Sequence, residues 1–386
     1  MTSARTGREG RGTLHTSGDG RLHAYYELRG APDPGRVARA LVVEQTIEFP
    51  EELVADLHIR DEVVGRVERI DTLAEGVHGI EASYSADVVG GEFPQLLSVL
   101  YGNCSMWPRL RLVDVSLPAS LLSRLHGPRL GVAGVRALVG AEKRPLLATA
   151  AKPLGSSPAA LATMVFEFAA GGIDIIKDDQ GLANQPYAAY SERVARCSDA
   201  VRSANERYGT RAIYVPCVNG PHEEIDARVR EALDNGAMGV MVLPGVVGYD
   251  LVRHLSSLPE EPVAILTHPS MLGAFVADAS HGISPGLVFG ALPRLGGADL
   301  AIYPHAGGRF QFSLEDCAEI GRACRADLGG VRPALPTPGG GMTLERVPEL
   351  TAFYGADVAL LIGGDLHRGD LRRNAELFRS RVEADT

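Results

Sequence analysis

The sequence predicts a two-domain α/β protein in which a small α+β domain precedes a C-terminal (β/α)8 barrel over residues 145–386. Two observations predict the barrel. Short apolar segments of strand length alternate with helical segments eight times over roughly 230 residues. Several of the helical segments are followed directly by glycine, a frequent helix C-cap. An open doubly wound sheet is the alternative, but no G-x-G-x-x-G follows the first strand to support it.

Residues 21–125 are predicted to form the N-terminal domain, an α+β unit of ferredoxin-like character. Four segments alternate polar and apolar residues, which predicts strands starting near Arg21, Gly65, His78 and Arg109. Segments 36–49 and 91–103 have helical spacing. Residues 1–20 are basic and glycine-rich, which predicts a disordered tail, and the Gly- and Arg-rich residues 126–144 are predicted to be a linker.

The composition argues against several kinds of partner. The formal net charge is −10 and no lysine-rich run occurs, which argues against binding nucleic acid. No apolar run reaches the roughly 18 to 20 residues that a membrane span needs. The five cysteines are scattered without a C-x-x-C pair, a pattern typical of reduced thiols. We therefore predict a cytoplasmic protein without a nucleic-acid or membrane partner.

The stretch Gly171–Gln180, GGIDIIKDDQ, is an apolar strand that ends in four polar side chains. The simpler interpretation is a salt bridge between the lysine and a neighbouring acid. The other interpretation is a metal site. Burial lowers the pKa of an amine, so Lys177 could react with CO₂ to form a carbamate, and Asp179 would add an oxygen ligand for Mg²⁺.

If the chain is a barrel, its active site lies at the C-terminal ends of the strands. Besides the lysine-acid cluster, four polar residues are predicted at these ends: Thr149, Lys152, His268 and His305. The last two strands end in glycines: Gly339, Gly340, Gly341, Gly363 and Gly364. Glycine turns after strands seven and eight bind a phosphate through backbone N–H groups in barrels of this kind. The sequence therefore predicts one phosphate site beside the lysines.

Together these motifs resemble the large subunit of ribulose bisphosphate carboxylase (RuBisCO). The stretch Gly171–Gln180, followed by Asn-Gln-Pro at 184–186, is similar to the metal-site strand of that family. Thr149-x-x-Lys152-Pro153 is similar to its catalytic lysine segment, and His268 and both glycine turns follow in the family's order.

The resemblance implies the roles of these residues. Mg²⁺ would be bound by a carbamylated Lys177, Asp179 and Gln180, while Lys152 and His268 would be catalytic. Glu44 in VVEQT and Asn103 in YGN resemble the two residues that the family's N-terminal domain contributes to the neighbouring subunit's active site. The resemblance therefore also implies a homodimer with shared active sites.

The sequence departs from the carboxylase pattern at several of these positions. The glutamate metal ligand is replaced by Gln180, whose neutral amide binds Mg²⁺ more weakly. The arginine and the histidine of the family's second phosphate site are replaced, the arginine by Pro269 and the histidine within AIYP, although His305 lies just beyond it. The serine before the strand-seven glycines is replaced by Pro338. The mobile-loop lysine has no counterpart, although Arg309 could supply a different cation there. These departures imply a RuBisCO-like protein (form IV) that is not a carboxylase and whose substrate carries one phosphate.

The shared chemistry implied by the resemblance is Mg²⁺-dependent enolate formation next to a carbonyl. The sequence favours decarboxylation or C–C cleavage of a 3-oxo sugar-acid phosphate, with Arg309 and His305 contacting a second anionic end. A ketose-phosphate isomerase or enolase of the methionine-salvage type is one alternative. A non-catalytic sensor of phosphosugars is another, because Gln180 and the lost cations weaken the metal and phosphate sites.

Overall fold

A computed structural model describes residues 12–384, and its N-terminal domain is built on a mixed sheet. The strands β1–β5 are Leu14–Ser17, Arg21–Arg29, Arg66–Ala74, Val77–Ser85 and Leu110–Pro118. They lie in the order β1-β5-β2-β4-β3, with β2 antiparallel to both β4 and β5. Side chains in the first half of β2 alternate between buried and partly exposed, as expected of a sheet with one face against the core. The four strands that the sequence predicts are confirmed.

Helices cover this sheet and connect it to the barrel. They are α1 (Pro34–Glu44), α2 (Phe93–Tyr101) and the short α3 (Ala119–Leu122). Helix α1 begins at a proline, and the Asp33 side chain accepts a hydrogen bond of 3.0 Å from the Arg36 N–H. It ends at Glu44, earlier than the predicted 36–49. The N–H groups of residues 46–48 all donate to the Val43 carbonyl, so they close turns and do not continue the helix.

Two segments that were predicted to lack regular structure contain it. Within the predicted tail, β1 pairs in parallel with β5, and Leu14 is fully buried; residues 1–11 lie outside the described residues. Within the predicted linker, residues 131–139 form helix α4 (Gly131–Val139), which ends at a left-handed Gly140. The valines of α4 are spaced at three and four residues and are buried at the barrel's N-terminal end: Val132, Val135 and Val139. The glycine and arginine content of this segment concealed that apolar stripe.

The second domain is a barrel of eight parallel strands. They are β6 (Leu146–Ala151), β7 (Ile175–Asp178), β8 (Ile213–Val215), β9 (Gly239–Val242), β10 (Ala264–Thr267), β12 (Leu300–Pro304), β13 (Leu335–Gly339) and β14 (Ala359–Ile362). Their order is β8-β7-β6-β14-β13-β12-β10-β9. A parallel bridge between Cys217 and Met241 joins the two end strands, so the sheet closes on itself. The predicted (β/α)8 barrel is confirmed.

Helices surround the barrel. They are α5 (Pro158–Ala170), α6 (Tyr190–Tyr208), α7 (His222–Asp234), α8 (Pro244–Val247), α9 (Tyr249–Ser257), α10 (Leu292–Leu295), α11 (Leu314–Arg325), α12 (Val347–Tyr354) and α13 (Leu371–Ala384). A π-helical segment, Leu287–Ala291, runs directly into α10. Ser157 caps the N-terminus of α5, and Ser313 with Asp316 forms a capping box on α11.

Side chains on the barrel strands alternate between the interior and the surrounding helices. On β7, Ile175 belongs to the barrel-interior cluster, whereas Ile176 belongs to the cluster shared with the helices. On β6, Ala148 faces inward and Leu147 outward. This period of two decides which residues at the strand ends can reach the barrel mouth.

A short strand links the two domains. Strand β11 (Gly282–Ile283) lies in the connection after β10 and pairs in parallel with β5 of the N-terminal sheet. The Gly282 N–H also donates to the Tyr101 hydroxyl at 3.0 Å, and Arg111 donates to the Ala279 carbonyl at 3.0 Å. The loop after the fifth barrel strand is therefore held by the N-terminal domain.

Between residues 12 and 384, no helix combines the length and the apolar character required to cross a membrane.

A buried ion pair holds the N-terminal end of the barrel, and its loss should destabilise the fold. Asp174 accepts two hydrogen bonds of 2.7 Å from the Arg144 guanidinium and one of 2.8 Å from the Leu147 N–H. We expect Asp174→Asn to lower the free energy of unfolding by about 3–5 kcal/mol, because it leaves a buried guanidinium without its counter-charge. Urea denaturation measures this loss.

The matched control is Asp199→Asn. Asp199 pairs with Arg202 on the exposed surface of α6, where an ion pair is worth at most about 1 kcal/mol. Equal losses in the two variants would contradict the role given to Asp174.

Candidate active site at the mouth of the barrel

Three predicted site residues lie on the inward-facing register of their strands. Lys152 follows Ala148 and Ala150 on the interior side of β6, and Lys177 follows Ile175 on β7. His268 continues the inward series of Ala264 and Leu266 on β10. The charges of both lysines lower the pKa of His268, as expected of side chains at one end of the barrel. The structure therefore brings two amines and an imidazole together at the C-terminal end of the barrel.

The two lysines differ in burial and in their partners. The Lys177 side chain is 2% exposed, and its amine donates to the Asp178 carbonyl at 2.8 Å. The Lys152 side chain is 41% exposed, and its Nζ lies 3.0 Å from Asp179 Oδ1. The lysine-acid salt bridge that the sequence suggested for Lys177 is thus formed by Lys152, which leaves Lys177 as the buried amine.

Burial changes the protonation of Lys177. Desolvation lowers the pKa of its amine to about 8, and the negative charge of Asp179 opposes part of that shift. An amine with this pKa is partly unprotonated at neutral pH. Because only the neutral amine adds CO₂, Lys177 has the property that carbamate formation requires.

The oxygen atoms beside Lys177 fit a cation incompletely. Asp179 Oδ1 is buried and takes no hydrogen bond from a described residue, although the Lys152 ammonium is an ion-pair distance away. Within residues 12–384, no three His, Cys, Asp or Glu side chains come together as a metal site. Asp179 would supply one carboxylate, so a Mg²⁺ site here needs a carbamate on Lys177 and fits best with the Gln180 amide as a third ligand.

Asp178, between the two candidate ligands, has a structural role. Its carboxylate accepts hydrogen bonds from the Tyr214 hydroxyl at 2.6 Å and from the Cys217 N–H at 3.0 Å, and it pairs with Arg193 at 3.1 Å. It has the outward register of Ile176, and it is fully buried. Asp178 therefore fixes the end of β7 against β8 and α6 and is not available as a ligand.

His268 is neutral. Desolvation, together with the charges of Lys177 and Lys152, lowers the pKa of its imidazole to about 3. Its Nδ1 accepts a hydrogen bond of 3.3 Å from the Ser270 N–H, which places the ring proton on Nε2. His268 can therefore donate a hydrogen bond from Nε2, but it is a weak base.

The two glycine turns offer backbone donors. Gly340 and Gly341 have φ angles of +98° and +68°, which L side chains rarely adopt. Among the described residues, no protein acceptor is bonded to the N–H groups of the four glycines that follow β13 and β14: Gly340, Gly341, Gly363 and Gly364. Both turns are at the same end of adjacent strands as Lys152. They have the donors that a phosphate group needs, while Gly339 is the last residue of β13.

Two predicted substrate-binding residues face away from the barrel interior. Thr149 is fully buried in the outward register of β6, and its hydroxyl donates to the Ile362 carbonyl at 2.8 Å. His305 follows Ala301 and Tyr303 on the outward side of β12 and is 1% exposed. Both side chains are bonded to protein groups in this structure, and their predicted contact with substrate stays a prediction.

His305 is held by two protein groups. Its Nε2 lies 3.3 Å from an Nη2 of Arg346, and its Nδ1 lies 2.8 Å from the Tyr354 hydroxyl. Desolvation and the Arg346 charge lower the pKa of His305 to about 4. Because a guanidinium only donates, Nε2 is the acceptor and Nδ1 carries the proton.

Arg309 is exposed on the loop after β12. Its guanidinium carbon lies 5.6 Å from the centroid of the Phe310 ring, itself 59% exposed. Its predicted contact with an anionic end of the substrate stays a prediction.

The two N-terminal candidates lie together. The Asn103 amide donates to Glu44 at 3.0 Å and to Glu48 at 2.8 Å. The neighbouring Gln45 is buried, and its amide donates to the Ser98 and Val99 carbonyls of α2. The structure thus forms an Asn103–Glu44 pair within the N-terminal domain, and its place in a neighbouring subunit's site stays a prediction.

Two residues at this end of the barrel were missed by the sequence analysis. Arg346 lies beside the turn after β13, and His367 donates from Nε2 to the Ala150 carbonyl at 3.2 Å. A basic residue within seven positions of a glycine turn is a weak sequence signal, and only the folded chain shows which turn it contacts.

The chain is similar to several known proteins. The sequence model of the family "Ribulose bisphosphate carboxylase large chain, catalytic domain" matches residues 131–371. RuBisCO-like protein 1 of Rhodopseudomonas palustris is 39% identical over 347 residues, which are 90% of this chain and 92% of the relative. A 5-methylthioribulose-1-phosphate isomerase of Rhodospirillum rubrum is 37% identical over 352 residues, 90% of this chain and 91% of the relative. A 2,3-diketo-5-methylthiopentyl-1-phosphate enolase of Bacillus pumilus is 30% identical over 335 residues, 83% and 81% of the two chains.

Solved structures agree with the family. A crystal structure of a RuBisCO-like protein from Rhodopseudomonas palustris matches with a TM-score of 0.84 and 37% identity, covering 95% of this chain and 98% of that one. A dimeric archaeal RuBisCO from Hyperthermus butylicus matches with a TM-score of 0.87 and 26% identity, covering 96% and 92%.

The barrel, its site and these matches define the class of the protein. The chain belongs to the RuBisCO large-chain family, and within that family it is a form IV RuBisCO-like protein. The relatives with named activities are an isomerase and an enolase, so the decarboxylation favoured by the sequence finds no support and the methionine-salvage alternative does.

Carbamate formation on Lys177 can be tested by its pH dependence. We expect the ¹³C NMR signal of a carbamate, formed with ¹³CO₂ and Mg²⁺, to rise between about pH 7 and 9, because the fraction of neutral amine rises as the pH passes the lowered pKa. The signal should be absent in Lys177→Met. The matched control is Lys143→Arg, at an exposed lysine in the turn before β6. An unchanged signal in Lys177→Met would contradict the assignment.

Proposed function

We propose that this protein is a Mg²⁺-dependent enolising isomerase that acts on a singly phosphorylated, methylthio-substituted ketose. The observation that carries the proposal is the inward cluster of Lys152, Lys177 and His268 beside two glycine turns with unused N–H groups. The isomerase relative, which spans nine-tenths of both chains, supports this choice among the reactions of the family.

The glycine turns would bind the substrate's single phosphate. The N–H groups of Gly340, Gly341, Gly363 and Gly364 have no other described acceptor, and a phosphate has enough oxygen atoms to accept from all of them. This contact would place the carbon atoms next to the phosphate over the lysines. A substrate with one phosphate is consistent with the loss of the second phosphate site's arginine, at Pro269.

A carbamylated Lys177, Asp179 and Gln180 would hold Mg²⁺. When bound, the ion polarises the substrate carbonyl and stabilises the enolate oxygen. Because Lys152 pairs with Asp179 in the free protein, Lys152 would leave this partner as the cation binds and become available to the substrate.

Isomerisation then needs one proton to leave a carbon next to the carbonyl and one to return to the adjacent carbon. Lys152, 41% exposed at the barrel mouth, would carry that proton. The neutral His268 would donate its Nε2 hydrogen to the developing oxygen anion without giving up a full proton. The carbonyl moves by one carbon, and the reaction gains and loses no atoms or electrons.

The second candidate is an enolase reaction on a diketo phosphate, favoured by the relative from Bacillus pumilus. It uses the same proton removal but returns the proton to oxygen. Proton NMR of the reaction in deuterated water distinguishes the two, because the isomerase adds deuterium to carbon while the enolase product carries it on oxygen. A sensor of phosphosugars would bind ligand without Mg²⁺ and catalyse no exchange.

A homodimer with shared sites is supported by exposed apolar side chains around Glu44 and Asn103. Four of them lie on the N-terminal domain and are 49–76% exposed: Phe49, Leu53, Leu57 and Met106. Apolar side chains on the barrel loops, including Leu154 and Met271, are similarly exposed. We propose that these two surfaces meet head to tail under a two-fold axis, so that the Asn103–Glu44 pair enters the partner's barrel.

Loss of either lysine should abolish turnover while the fold is retained. We expect Lys177→Met and Lys152→Met each to lower kcat at least about a hundredfold, because one removes the metal site and the other the proton carrier. The assay follows deuterium exchange into methylthioribulose phosphate by NMR. Lys143→Arg is the control, and Mg²⁺-independent turnover would refute the proposed chemistry.

Shared sites can be tested by complementation. We expect a mixture of inactive Lys177→Met and inactive Asn103→Ala subunits to regain about a quarter of wild-type activity after denaturation and refolding, because half the dimers are mixed and each mixed dimer has one intact site. Activity that stays at the level of the separate variants would count against a shared site.

A further inference from the structure

Arg346 connects three elements at the end of the barrel where the glycine turns lie. It lies in the 3₁₀ segment Leu344–Arg346 that precedes α12. Its Nη1 donates to the Gly341 carbonyl at 2.9 Å, and its Nη2 donates to His305 Nε2 at 3.3 Å. Nε and Nη2 also donate to the Glu349 carboxylate. The side chain, 26% exposed, thus connects the turn after β13, the end of β12 and α12.

The His305 imidazole makes this connection rigid. It is buried, and both of its nitrogens are bonded, one to Arg346 and the other to the Tyr354 hydroxyl of α12. The lowered pKa keeps it neutral, so its Nε2 remains an acceptor for Arg346 across the physiological pH range. His305 thereby fixes the guanidinium that lies beside the turn.

The bond to Gly341 determines the direction of a backbone donor. In a planar trans peptide the C=O and the following N–H point in opposite directions. Because Arg346 holds the Gly341 carbonyl on one side, the Met342 N–H must point to the other side. Gly341, with a φ of +68°, has the wider backbone freedom of glycine, and the bond from Arg346 restricts the direction of its carbonyl.

Arg346 also contacts the loop that carries Arg309. An added Cβ on Gly307 would lie 3.5 Å from Arg346 Nη1, and one on Gly341 would lie 3.1 Å from the same atom. An added Cβ on Gly308 would lie 3.2 Å from the Gly340 carbonyl carbon. The loop after β12 therefore packs directly on the turn after β13, with the guanidinium at their junction.

We infer that Arg346 is a positioning residue that fixes the turn Gly339–Gly341, the Met342 N–H that follows it and the adjoining loop in the conformation that binds the substrate phosphate. This inference rests on the proposed function, in which that turn binds the phosphate. Arg346 acts through the backbone: it holds a carbonyl, and it contributes a positive charge near the anion. Its loss should weaken binding of a phosphate more than it slows the proton transfer.

The test uses inorganic phosphate and the phosphorylated ketose as two separate probes. We expect Arg346→Gln to weaken phosphate binding, measured from the rise in Tm with phosphate concentration, by about tenfold or more. KM for the ketose phosphate should rise by a similar factor while kcat stays within about threefold. Arg346→Lys keeps the charge but reaches fewer acceptors, so its effect should be intermediate. Guanidinium ion added to Arg346→Gln should restore part of the binding.

The control is Arg196→Gln, an exposed arginine of α6 paired with Glu192. It should leave phosphate binding unchanged. If Arg346→Gln does not fold, Arg346→Lys alone decides, and wild-type phosphate binding in it would overturn the inference. Equal phosphate binding by Arg346→Gln and the wild type would also overturn it. If the wild type itself binds no phosphate, the proposed phosphate site fails and the inference fails with it. If the wild type binds phosphate and Arg346→Gln binds it equally well, only the inference fails.

Discussion

The period of two along the barrel strands is the constraint on which the whole site depends. Each strand end presents alternate residues to the interior and to the helix layer, so a shift of one residue decides whether a side chain faces the barrel mouth or packs against the helices. On β7, Lys177 faces the mouth, whereas the carboxylate of Asp178 is bonded to Tyr214 and Arg193. On β6 the same alternation separates Lys152 from Thr149. The cluster of two amines and an imidazole forms because three strands end in the same register.

Burial and charge act together on that cluster. Desolvation lowers the pKa of Lys177 to about 8, and desolvation together with the two lysine charges lowers the pKa of His268, which stays neutral. The exposed Lys152 pairs with Asp179, and the buried amine has no ion-pair partner among residues 12–384. This division between a paired, exposed lysine and an unpaired, buried one gives two chemically identical side chains different properties.

Much of this arrangement could be predicted from the sequence. The eight apolar segments, the lysine-acid motif and the glycine turns are local patterns, and each lies where its pattern implied. What these patterns do not give depends on interactions between distant segments. The orientation of Thr149 and His305 follows from the strand register, which places them outside the inward series of Ala148 and Ile302. Helix α4 was hidden because its three valines lie among glycines and arginines, which composition alone assigns to a linker. Arg346 depends on a contact between two loops, and no local pattern predicts it.

Strand β11 connects the two domains mechanically. The loop that follows the His268 strand pairs with the N-terminal sheet through Gly282 and Ile283, and its Gly282 N–H donates to the Tyr101 hydroxyl. A tilt of that sheet, including one imposed by an arriving subunit, would therefore displace the loop that begins at the imidazole. The barrel alone is not a self-sufficient unit, because excising it would leave the loop after β10 without its partner strand.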